Sequence, residues 1–106
     1  MPKYMLQVSY TAEGAKGLLK DGGSKRRQAA EGLVKSAGGT LEAFYFAFGE
    51  SDAFVIVDLP DSASVAAASI TLAASGAATG KTTVLITPEE MDQAAKKSIS
   101  YTPPGR

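Results

Sequence analysis

The sequence predicts an α+β domain with the element order β-α-β-β-α-β, on three observations. Apolar residues alternate with period two over four short stretches, as half-buried strands require. Helical spacing and helix caps fill the first and third gaps between these stretches, whereas Gly49-Glu50-Ser51-Asp52 supplies turn chemistry in the second. The whole plan fits into 106 residues, the length of one domain. A four-stranded antiparallel sheet with helices on one face follows, the ferredoxin-like arrangement.

The first strand is residues 4–10. Tyr4, Leu6, Val8 and Tyr10 form one row, and Met5, Gln7 and Ser9 the other. Thr11 caps a helix with Glu13 near its positive end. Gly14 and Gly17 weaken this helix and Gly22-Gly23 interrupt it. Ser24 restarts it, and Ala30, Leu33, Val34 and Ala37 form an apolar stripe that ends at Gly38-Gly39. Residues 40–48 make the second strand, with Leu41, Ala43, Tyr45 and Ala47 opposite Glu42, Phe44, Phe46 and Phe48. The third strand, 53–59, is apolar on both rows except at Asp58. The aromatic row of this hairpin is expected to face the core.

Asp61, after Pro60, caps a helix over 62–75 that is rich in Ala and Ser. Val65, Ala68, Ser69 and Leu72 face the sheet. Side chains this small allow either close packing or a cavity beneath the helix. The fourth strand is expected over 81–86. Thr87-Pro88-Glu89-Glu90 is a capping box that opens a short C-terminal helix, with Met91, Ala94 and Ala95 turned inward. The tail from Tyr101 is extended, with Pro103-Pro104 blocking a helix.

Composition removes several kinds of chemistry. The chain has no Cys and no His, so disulfides, thiolate nucleophiles, Cys-type zinc sites and the Ser-His-Asp arrangement are excluded. Eleven basic residues balance eleven acidic ones, and no global field favours nucleic acid or an anionic membrane. The start Met1-Pro2-Lys3-Tyr4 has no apolar signal core, so a cytoplasmic location is expected. The glycine pairs match neither GxGxxG nor a P-loop.

Candidate ligand-binding residues are Gln7, Tyr10, Lys25, Arg26 and Tyr45. Lys25-Arg26-Arg27 opens a helix, where cations oppose the macrodipole. The cluster either holds a small anion or is a solvated patch relieved by Asp21 and Glu31. Tyr4, Tyr10 and Tyr45 either line a pocket or fill the core and an interface. Gln7, amid apolar neighbours, either touches a ligand or bonds across a dimer seam. Glu50 and Asp52 lack the oxygen-ligand spacing of a calcium loop, and Asp52 is expected to brace its own turn. Asp58 is either exposed at an edge or, if buried, a general base.

Several of these pieces coincide with a known pattern: Tyr4, Tyr10-Thr11-Ala12-Glu13-Gly14, Gly38-Gly39, Ala43-Phe44-Tyr45, Gly49-Glu50-Ser51-Asp52 and Leu59-Pro60-Asp61. Together they resemble the GYD domain family over residues 1 to about 92, with 93–106 as the end of the last helix and a tail. Ser51 stands before Asp52 where that family usually has Tyr. The resemblance implies a ferredoxin-like fold related to the dimeric α+β barrels, and a homodimer. It implies no established activity.

The functional expectation is a small-molecule-binding or assembly module with a pocket near Tyr10, Lys25 and Tyr45. The partner is a second copy, or a larger ring of copies, joined through the sheet face, and nucleic acid and membranes are not expected partners. No catalytic residue, metal or cofactor is assigned. The alternative is a cofactor-independent, monooxygenase-like enzyme on an aromatic substrate, with Tyr45 or Asp58 in acid–base roles.

Overall fold

Strand alternation fixes which side chains meet, and the computed structural model, which describes residues 1–106, shows the outcome. The strands are β1 (Lys3–Tyr10), β2 (Thr40–Phe46), β3 (Ala53–Asp58) and β4 (Ala78–Leu85). They form one antiparallel sheet in the order β2-β3-β1-β4. Opposite one another in β1 and β3 stand Tyr4 and Val57, Leu6 and Val55, and Val8 and Ala53. This row is the inner one, since Tyr4, Val8, Val55 and Val57 are all buried. The expected α+β, ferredoxin-like fold is therefore present.

Helices α1 (Ala12–Asp21), α2 (Gly23–Ser36) and α3 (Ser62–Ala74) lie on that inner side. The first crossover is two helices rather than one. Gly22 divides them at φ +81°, a backbone region that side chains other than glycine's disfavour. The structure starts α2 at Gly23 with no side-chain cap, so Ser24 does not restart the helix as expected. The other caps are as expected. Thr11 Oγ1 accepts from the Gly14 amide at 3.2 Å. Asp61 accepts from the backbone and hydroxyl of Ser64 at 2.9 and 2.8 Å, and these bonds hold its carboxyl below the usual value.

Three elements differ from expectation. In β2 a bulge lies between Leu41 and Ala43. Leu41 pairs with Val57 and Phe44 with Val55, so both belong to the inner row, while Ala43 and Tyr45 point to the other face. The aromatic row thus enters the core only through Phe44. Phe46 is partly exposed, and Phe48, beyond the strand, is fully so. β4 begins at Ala78, three residues before the expected start, because Ala78 pairs with Tyr10 and closes the sheet's edge. The last helix, α4 (Pro88–Lys96), has the capping box, but Met91, Ala94 and Ala95 face solvent, because no part of the body lies beneath them. This arm extends the molecule to 58 × 32 × 23 Å, with a radius of gyration of 16.9 Å against about 13 Å for a compact domain of this length. No helix is long and apolar enough to cross a membrane.

Asp52 also differs. Its carboxylate does not brace the turn but accepts from the Tyr10 amide across the sheet at 2.8 Å, while its own amide donates to the Val8 carbonyl at 2.8 Å. Asp52→Ala leaves the half-buried Tyr10 amide without its acceptor. The expected loss is about 1–3 kcal/mol in urea unfolding. A loss below about 0.5 kcal/mol would show that water replaces the carboxylate at no cost.

Candidate functional site

Two helices set apart over the sheet leave the inner layer open between them. α2 lies over β2 and α3 over β4, at opposite edges of the sheet. Between them the central strands are covered only in part. A slot of about 100 Å³ remains there. Leu6, Val8, Val55 and Val57 form its floor, Ala30 and Leu33 one wall, and Ala68 and Leu72 the other. Phe44 and Tyr10 close its sides. The walls stand apart because the helices sit over opposite edges, and Ala30 and Ala68 are too small to bridge the gap, so the cavity alternative raised by the Ala-rich helix is realised.

One charged side chain enters this lining, Arg26. It stands on α2 one turn before Ala30 and two before Leu33, on the same stripe. It is half-buried, beside the exposed Ala29 at the mouth. No carboxylate lies within 4.0 Å of it, although Arg27 next to it pairs with Glu31 at 3.4 Å. Lys25 is exposed and outside the lining.

Of the five candidate residues, the structure therefore brings Tyr10 and Arg26 together in the slot. Gln7 and Tyr45 lie on the opposite face of the sheet. Tyr4, the remaining tyrosine of the first strand, is a core residue at 5 % exposure. Gln7 contributes to a polar recess with Ser9, Glu50, Ser51, Thr79 and Lys81. Tyr45 is 71 % exposed and pairs in register with Phe54.

That outer face carries Met5, Ile56 and Phe54, all half-buried, with no helix over them. At its end Lys3 bonds Asp58 at 3.0 Å and Glu42 at 3.1 Å. The two carboxylates, Asp58 first, hold the Lys3 ammonium above its usual pKa. Asp58 is thus engaged in an ion pair on the face opposite the slot. No carboxylate lines the slot, and Arg26 and Tyr10 are its only lining residues with polar side-chain atoms. The arrangement can seat an apolar group and meet a negative charge at its mouth.

Sequence reading missed the slot's other lining residues as ligand contacts, since each reads as an ordinary core position. Arg26 left a signal. A cation at the i−4 position of an apolar stripe is out of place on a buried face.

The sequence profile of the GYD domain matches residues 4–95. No curated protein matches the chain, and no solved structure does.

Proposed function

The chain belongs to the GYD domain family, and from that scaffold we propose a small-molecule-binding module that works as a homodimer. The slot carries this reading. A native interior is ordinarily close-packed, and an apolar void larger than a few waters has a measurable cost. A ligand that fills it offsets that cost. The slot's volume of about 100 Å³ is near the scale of cavities that admit a benzene ring.

The dimer reading rests on the opposite face. Met5, Phe54, Ile56 and Tyr45 form an apolar surface without a cover, and covering it recovers the rest of the roughly 1.5–3 kcal/mol that full burial of such a side chain gives, part of which the half-buried Met5, Phe54 and Ile56 already have. A second copy of the same face, seated sheet to sheet, supplies that cover and completes a dimeric α+β barrel.

The test is a neutral apolar guest. Toluene at about ten times its dissociation constant is expected to stabilise the protein by about 1.4 kcal/mol, read as a rise in thermal midpoint. Ala30→Phe, which places a ring in the slot, is expected to abolish the rise. An unchanged midpoint in the wild type, or an equal rise in the variant, would remove the slot as the binding site.

A further inference from the structure

Resting on that reading, we propose that the slot's ligand is a small monocarboxylate with an apolar tail, its carboxylate held by Arg26. Three observations converge. Arg26 and Tyr10 are the only lining residues with a polar side-chain atom, so the floor and walls offer a polar group no side-chain partner. The ligand must enter tail first. The volume of about 100 Å³ then limits the tail to a phenyl ring or a short alkyl chain.

The head is fixed by charge. Arg26 is a half-buried residue of the slot's lining, the placement expected of a side chain that lays its methylene stem on apolar surface and keeps its charged end toward water. Its charge is free: the ion pairs of this protein engage Lys3 and Arg27, not Arg26. A guanidinium offers two parallel N–H donors, which match the two oxygens of one carboxylate. One cation balances one negative charge. A phosphate dianion needs a second cation, and Lys25 lies outside the lining. A neutral alcohol or amide leaves the guanidinium without a counter-charge. The class that fits is therefore an arylalkanoic or short-chain fatty acid.

The experiment pairs two probes of nearly equal shape, phenylacetate and 2-phenylethanol, in isothermal titration calorimetry with the full chain. The wild type is expected to bind the acid at least about tenfold more tightly than the alcohol, with the preference shrinking as salt rises. Arg26→Gln is expected to bind the two alike, Arg26→Lys to keep part of the preference, and Arg27→Gln to keep all of it. Unchanged toluene binding by Arg26→Gln shows that its slot is intact. Equal affinity of the wild type for both probes overturns the proposal, as does a preference that survives in Arg26→Gln or disappears in Arg27→Gln. In those outcomes toluene still binds and the slot stands as a site for neutral guests. Failure of toluene and both probes to bind the wild type overturns the slot reading and this proposal together.

Discussion

Gly14→Ala is expected to destabilise the protein by about 3 kcal/mol, since overpacking and a strained hydrogen bond act at one place. A Cβ at residue 14 would stand 1.9 Å from the Ala77 carbonyl oxygen and 3.0 Å from the Tyr10 ring. The carbonyl cannot retreat freely. It accepts from the Thr11 amide at 3.0 Å and from the Thr11 hydroxyl at 3.1 Å, bonds that dock the start of α1 on the strand entering β4. The Tyr10 ring borders the slot, so a shift that relieves the contact also alters the slot's side. For a domain of marginal stability this is a large share of the total, and the thermal midpoint should fall by more than about 10 °C. Gly17→Ala is the control. It meets nothing within 4 Å in the same helix, and should stabilise by up to about 1 kcal/mol through helix propensity. Equal stability of the two variants in urea unfolding would show that α1 does not rest on Ala77.

The second large effect concerns assembly. Ile56→Asp places a charge in the middle of the outer face, opposite Met5 in the register of β1 and β3. Ile56 belongs to the row that faces away from the core, so the monomer's fold is expected to survive, with an unchanged far-ultraviolet circular dichroism spectrum. The dimer is not. An unpaired carboxylate at the centre of an apolar interface costs several kcal/mol, which raises the dissociation constant by about a hundredfold or more. Sedimentation equilibrium in the micromolar range should give a dimer for the wild type and a monomer for the variant. A monomeric wild type at several hundred micromolar would end the dimer reading and leave the slot untouched.

Most of the architecture could be read along the chain because local chemistry carries it. The inner row of β1, the caps Thr11, Asp61 and Thr87, and the break at Gly22 each depend on residues within four positions of one another. The bulge in β2 did not show, because Leu41-Glu42-Ala43 continues the alternation without a break. Only pairing with β3 adds the extra residue. The start of β4 was hidden for a similar reason: Ala78-Thr79-Gly80 has weak strand propensity and is held by its register with Val8, Ser9 and Tyr10. The role of Asp52 was missed because its acceptor is used 42 positions away, at Tyr10.

Of the candidate site, Tyr10 and Arg26 were legible as residues able to meet a ligand. Their grouping away from Tyr45 was not. It depends on which face of the sheet each row occupies and on how far apart α2 and α3 lie. Alanines at 30 and 68 admit either a closed or an open layer. Only the placement of one helix over β2 and the other over β4 decides between them.

The detached C-terminal arm has a thermodynamic meaning. Its nine helical residues are fewer than a lone helix needs to persist in water, and their reciprocal cap and end charges are all that supports them. The arm shares no side-chain burial with the sheet, so it does not belong to the same cooperative unit. Calorimetric heat and denaturant sensitivity therefore report the strands and the three helices against them, while the final segment frays on its own curve at near-zero free energy.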